Sequence, residues 1–199
     1  SENTIDYAIK SVIGQTLTNW ELLICDDCSN DKSLEIIKKY AADDARILYF
    51  RNKKNSGTYA SKNMMFNELT GEYVVCLDSD DWMLPQFLEK NLDAFKSKEN
   101  IIGTISQLLR FSSKDGFELF TNYFQENLSS FFYPAWYITM INYNTNRFGS
   151  DAKFIKDAEK LFPDKKILRL TTPLSICDRT SQNNLTKEKG IAVHAGGKK

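Results

Sequence analysis

The sequence predicts an α/β fold with a mainly parallel central sheet, and three observations support it. Short apolar runs, WELLIC (20–25), RILYF (46–50) and EYVVCL (72–77), alternate with stretches whose apolar residues recur every three to four positions. Strands alternating with helices imply a sheet covered on both faces. The 199 residues, 42% hydrophobic and 26% charged, suffice for a single domain with its own core.

Each element has its own signal. Ile5, Ala8, Ile9, Val12 and Ile13 mark an amphipathic helix that Gly14 ends. WELLIC is the first strand, and DDCSND after it is a turn with a helix N-cap signal at 29–31. Leu34, Ile37 and Tyr40 mark the next helix face, and RILYF is the second strand. KKNSG (53–57) is a loop, 58–69 a helix that Gly71 breaks, and EYVVCL the third strand. Pro85 fits the first turn of a helix carrying Phe87, Leu88, Leu92 and Phe95. Beyond Asn100 the pattern loosens. IIGTISQLLRF reads as a strand with GFELF as its partner, DAKFIKDAEKLF as a helix and KILRL as a strand. The aromatic stretch 122–143 has no clear period, and GIAVHAGGKK reads as a mobile tail.

Composition excludes several classes. With 26 basic and 26 acidic residues the formal net charge is zero, which argues against a nucleic-acid partner held by bulk electrostatics. No apolar run approaches the roughly 20 residues of a membrane span. SENTIDYAIK lacks the basic start and apolar stretch of a signal peptide. Cys25 and Cys28 form a CxxC, but there is no second one, and His194 is the only histidine. The four cysteines therefore read as reduced thiols of a cytosolic compartment.

The chemistry concentrates at strand ends. WELLIC runs into Asp26-Asp27, and EYVVCL into Asp78-Ser79-Asp80-Asp81. In parallel α/β sheets, ligands bind beyond the carboxyl ends of the strands. On an extended chain Asp78 and Asp80 project together, about 6–7 Å apart at Cα. Two such carboxylates repel unless a cation joins them, and hard oxygen ligands suit Mg²⁺ or Mn²⁺ with substrate phosphates. Asp81 falls on the other side, where it serves the turn or caps the next helix. A lone Asp-x-Asp is more often a solvated turn. The second acidic strand end and Asp151 in FGSDAKF favour a metal–phosphate site.

Several pieces in order and register resemble family 2 glycosyltransferases of the GT-A fold: SVIGQTLTNWELLICDDCSNDKSLEIIKKYAADDARI, NSGTYASKN and GEYVVCLDSDDWMLPQFLEKNL, then RFGSDAKF and PLSICDRTSQNNLT. NSGTY and the DSDD form are most similar to bacterial capsule and glycosaminoglycan-type polysaccharide enzymes. The resemblance implies a three-layer α/β/α sandwich in one domain over 1–199. Its nucleotide-binding half would be 1–100, its acceptor-side half 101–186 and its flexible tail 187–199. It implies an inverting, metal-dependent transfer from a UDP-sugar to a saccharide or lipid-linked saccharide. The expected setting is the cytoplasm, with at most peripheral membrane association. By the same resemblance, Asp27 contacts uracil, Lys62 lies near base and phosphates, Asp78 and Asp80 form the acidic motif with Asp80 on the metal, and Asp151 is the general base. Gly57 shapes a loop near the nucleotide, and Arg179 is a candidate phosphate contact.

The family opens with an apolar strand, central in its sheet, whereas this sequence begins at SENTIDY. Either the chain is truncated or another segment fills that place. The Gln-x-x-Arg-Trp motif of processive synthases is absent. His194 reads either as a metal or diphosphate ligand folding back from the tail, or as a histidine of a disordered terminus. The aromatics 131–137 read as an acceptor platform or as core, and Trp82 as donor-sugar packing or as rim. The alternatives to a transferase are a nucleotidyltransferase on a similar scaffold and a non-catalytic sugar- or nucleotide-binding domain.

Overall fold

Alternation along the strands sorts the core into two layers. The structure, a computed structural model, describes residues 1–112, 116–119, 130–141, 150–178 and 190–195. Strand β1 (Trp20–Asp26) sends Leu22 and Ile24 to one face of the sheet and Leu23 and Cys25 to the other. Strand β3 (Tyr73–Asp78) does the same with Val75 and Leu77 against Val74 and Cys76. Helices α1 (Ile5–Ile13), α2 (Ser33–Asp43) and α4 (Phe87–Lys96) cover the first face with Ile9, Ile37 and Phe87 among others. Helices α3 (Thr58–Met65) and α5 (Ser150–Leu161) cover the second with Met65, Phe154 and Ile155. The result is the expected three-layer α/β/α sandwich.

The remaining described strands are β2 (Ile47–Arg51), β4 (Asp81–Met83), β5 (Ile101–Ser112), β6 (Gly116–Leu119), β7 (Phe131–Pro134), β8 (Lys166–Asp178) and β9 (Gly190–Ala195). They form one sheet in the order β2-β1-β9-β3-β7-β5-β8-β4, with β6 beside β5. Strands β1, β2, β3, β5 and β8 run one way. Among the described strands only β1–β2 and β5–β8 are parallel neighbours, because β9 and β7 run antiparallel between the others. The sheet is thus more mixed than the alternation of strands and helices implied.

The tail differs most from expectation. Residues 190–195 pair along their whole length with both β1 and β3, in the centre of the sheet. The physical reason is a slot with unpaired N–H and C=O groups on both sides. The run GIAVHA, of mostly small and apolar residues, fits between them. This segment fills a central position of the sheet, between β1 and β3. Helix α2 begins at Ser33, later than the signal at 29–31; Lys32 is its N-cap, without a side-chain capping bond, and Asp31 accepts from the Ser33 amide at 3.0 Å in the turn before it.

Candidate active site

Strands β1 and β3 point their carboxyl ends the same way. Cys25 and Asp78 both pair with Gly190, so the two acidic ends lie on one rim with β9 between them. Two strand spacings separate them, about 10 Å. Asp26 is buried and holds the Ser29 amide at 3.3 Å and Arg51 at 3.4 Å.

Asp27 is 4% exposed. Its Oδ1 accepts from Asn52 Nδ2 at 2.7 Å and the Ser56 amide at 2.8 Å, and its Oδ2 from the Gly57 amide at 2.7 Å. The carboxylate therefore latches the loop that leads into α3. A carboxylate has about four acceptor positions, which leaves room for one further donor. Gly57 adopts φ 87°, a left-handed backbone that glycine takes without a Cβ penalty. Its neighbours extend the latch, since Ser61 Oγ accepts from Asn52 at 2.9 Å and donates to the Gly57 carbonyl at 3.1 Å.

Lys62 is among the largest fully buried side chains. Its ammonium donates to Asp78 Oδ1 at 2.8 Å. Burial alone pushes a lysine pKa down, but the charges of Asp78 and Asp151 outweigh it and hold the ammonium charged. Tyr59 sits one helical turn earlier on the same face, with its ring centroid 5.7 Å from Lys62 Nζ. Its hydroxyl donates to Asp151, in the first turn of α5. Burial, followed by the negative charge of Asp151 and that hydrogen bond, pushes the Tyr59 hydroxyl pKa up. Lys62 and Tyr59 thus join two carboxylates that lie 73 positions apart in the chain.

The acidic motif is bent rather than extended. Strand β3 ends at Asp78, 79–80 form a turn, and Asp81 opens β4 opposite Cys177. Asp78 and Asp80 therefore do not share one extended strand. Asp81 is buried and belongs to a strand, so it neither serves a solvated turn nor caps a helix. Half-buried Trp82 packs against Phe111, with ring centroids 6.1 Å apart.

His194 is elsewhere. It pairs with Glu21 and Val74, whereas Asp78 pairs with Gly190, four residues away. That is about 13 Å along the strand. Its strand position removes it both from the acidic rim and from a disordered terminus. Arg179 lies outside the described residues. The aromatic stretch splits: among its described rings Phe131, Phe132, Tyr133 and Tyr137 are core, and only Trp136 is exposed. Among the described residues no three His, Cys, Asp or Glu side chains converge as a metal cage.

A family model described as glycosyl transferase family 2 matches residues 1–187. The chain belongs to glycosyl transferase family 2. Among curated relatives, a putative glycosyltransferase EpsE of Bacillus subtilis is 40% identical over 107 residues, 52% of this chain and 38% of that protein. The Escherichia coli UDP-Glc:alpha-D-GlcNAc-diphosphoundecaprenol beta-1,3-glucosyltransferase WfgD is 35% identical over 101 residues, 51% of this chain and 39% of that protein. The chain thus spans about two fifths of the length of these relatives. Solved GT-A structures share the fold. Staphylococcus aureus TarS 1–349 in complex with UDP has TM-score 0.72 at 20% identity, covering 89% of this chain and 57% of that one. The mannosyltransferase PcManGT from Pyrobaculum calidifontis, in complex with GDP-Man and Mn²⁺, has TM-score 0.70 at 12% identity, covering 92% and 55%.

For this family 2 glycosyltransferase domain, sequence reasoning passed over Tyr59 as a member of the rim. The three-residue spacing of Tyr59 and Lys62 on one helix was a visible signal for it. Asn52 carried no signal, since its role follows from the fold of the loop around Asp27.

Proposed function

We propose that this domain transfers a sugar, with inversion, from a UDP-sugar to a hydroxyl of a saccharide or lipid-linked saccharide, in bacterial surface polysaccharide synthesis. The observation that carries the reading is the buried Lys62, which ties Asp78 at a strand end to the Tyr59–Asp151 pair. A glucosyltransferase relative acts from UDP-Glc on a lipid-linked sugar, and a structural neighbour holds UDP. Both support this choice of donor and acceptor.

In this reading Asp27 fixes the 52–57 loop and offers its remaining acceptor position to the uracil N–H. Asp151 accepts the proton of the acceptor hydroxyl as its oxygen attacks the anomeric carbon. The bond from that carbon to the diphosphate oxygen breaks from the opposite face, and UDP leaves with the electron pair. Tyr59 orients Asp151 through its hydrogen bond. Lys62 holds Asp78 in place. A divalent ion suits Asp80 and the outward oxygen of Asp78, because such ions bind through one or two carboxylates plus substrate phosphates rather than an all-protein cage. When bound, Mg²⁺ or Mn²⁺ supplies charge stabilisation for the leaving diphosphate. The Mn²⁺ complex of a structural neighbour supports that choice.

Calorimetry with UDP and Mn²⁺, followed by transfer assays across UDP-sugars, tests the reading. UDP binding that requires Asp80 and transfer that requires Asp151 would bear it out. A wild-type chain that binds no UDP with or without Mn²⁺, or full activity in Asp151→Asn, would refute it.

A further inference from the structure

One large ring of the aromatic stretch belongs to neither the core nor the acidic rim. Trp136 is 46% exposed while Phe131, Phe132, Tyr133 and Tyr137 are buried. It lines a cavity of about 580 Å³, inside the ligand-pocket range of about 300–1,000 Å³. The cavity sits at the amino ends of β3 and β5, where Tyr73 and Ile101 lie. Asp78 lies five residue steps along β3 from Tyr73, about 17 Å, so the cavity opens on the rim opposite the acidic one.

Its walls are already fixed. The Glu21 carboxylate accepts from the Thr70 amide at 2.8 Å, the Thr70 hydroxyl at 2.7 Å and the Gly71 amide at 2.9 Å, pinning the turn before β3. Asn100 adopts φ 59°, and its carbonyl accepts from the Lys166 amide at 2.8 Å. Tyr73 stacks on Phe132 at 5.3 Å and meets Phe95 edge-on at 5.0 Å. Trp136 is braced by Phe162 at 5.4 Å. The polar groups on these walls are Lys98, Lys165, Glu72 and Asn100.

We propose that this cavity is a second saccharide site, taking acidic sugars of a growing polymer. The polymer as ligand source rests on the transferase reading above. The C–H face of a pyranose is apolar and weakly positive, and it matches the negative π face of Trp136. Glu72 and Asn100 supply the acceptors and donors that ring hydroxyls need. Lys98 and Lys165 outnumber Glu72, which selects a carboxylate or phosphate substituent. A lipid surface fits less well, because Trp136 lines a concavity instead of standing out from a flat apolar face.

Tryptophan fluorescence and calorimetry with a glucuronate-containing tetrasaccharide test the proposal, with its carboxyl-reduced neutral analogue as control. The expected result is saturable binding of the acidic probe, unchanged by saturating UDP. Binding should weaken about tenfold in Trp136→Ala and in the surface variant Lys98→Glu, at unchanged thermal midpoint. Lys165→Glu should give the same result, and added salt should weaken the wild type. No saturable binding overturns the proposal, as does equal binding of the neutral analogue, competition by UDP or full affinity in the variants. Binding of anionic vesicles without the tetrasaccharide also overturns it and assigns the surface to a membrane. Loss of UDP binding with tetrasaccharide binding intact would refute the transferase reading and leave this site standing.

Discussion

Replacing Asp27 by asparagine keeps the side chain's shape and removes its charge. Oδ1 serves Asn52 and Ser56, and Oδ2 serves Gly57, all at 2.7–2.8 Å. An asparagine offers one oxygen. If that oxygen stays on Asn52 and Ser56, the new NH₂ faces the Gly57 N–H, and two donors oppose each other. One hydrogen bond to a charged group, worth about 1.5–3 kcal/mol, is lost, and an amide left unsatisfied costs about 1–3 kcal/mol. With Asp27 only 4% exposed, water relieves little of this. The two costs overlap, so the expected destabilisation is about 3 kcal/mol. Urea unfolding measures it, and hydrogen exchange locates it, since the Ser56 and Gly57 amides should lose protection before the rest of the sheet. UDP affinity should fall with them because the loop is no longer held. A loss below about 1 kcal/mol with both amides still protected would show that Asp27 is not the latch.

Three further predictions follow from the same geometry. Tyr59→Phe removes one hydrogen bond to a carboxylate, so kcat should drop about 10- to 100-fold with KM for the UDP-sugar nearly unchanged; a KM effect alone would place Tyr59 in donor binding. Mn²⁺ titrated by calorimetry should bind tightly only after UDP is present, be lost in Asp80→Asn and be unaffected in His194→Asn, and tight Mn²⁺ binding without UDP would contradict the incomplete protein donor set. Burial pushes the Cys25 thiol up to about 11, above its unfolded value of about 8.5. The unfolded chain therefore ionises first, so the stability this thiol supports is full below about 8.5 and is lost toward 11, at about 1.4 kcal/mol per pH unit. Against Cys25→Ala, wild-type stability should decline with that extra slope between pH 9 and 10, and a constant difference would refute the assignment.

The α/β alternation through α4 was legible because each strand is a short apolar run and each helix keeps its period. So was the acidic rim, since Asp27 and Asp78 follow directly from strands that must be buried. The position of β9 was not legible. GIAVHA is too short and too poor in large apolar residues to stand out, and its place depends on a slot that only the folded β1 and β3 create. The bend at Asp78 was hidden for a similar reason. Only the pairing of β4 with β8 turns the chain there, and β8 lies about 90 residues further on. The splitting of the aromatic stretch also needed tertiary structure, because a core ring and an exposed ring look alike in sequence.

The burial of Lys62 has an electrostatic reason. Asp78 and Asp151 both bring negative charge to Lys62, and at an effective dielectric of about 20 two such charges about 6 Å apart repel by roughly 3 kcal/mol. The ammonium held against Asp78 at 2.8 Å offsets that repulsion. A solvated lysine would be screened and would compete for the incoming diphosphate. A buried one, paired at 2.8 Å and sharing its helix face with Tyr59, stays fixed against its carboxylate. Helix α3 is therefore a bracket. Gly57 and Ser61 at its start bind the Asp27 network, Lys62 binds Asp78 and Tyr59 binds Asp151. A shift of that one helix would move the 52–57 loop, the acidic motif and the proposed base together, which is why substitutions on its buried face should alter donor binding and turnover in concert, while those on its exposed face, such as Met64→Ala, should alter neither.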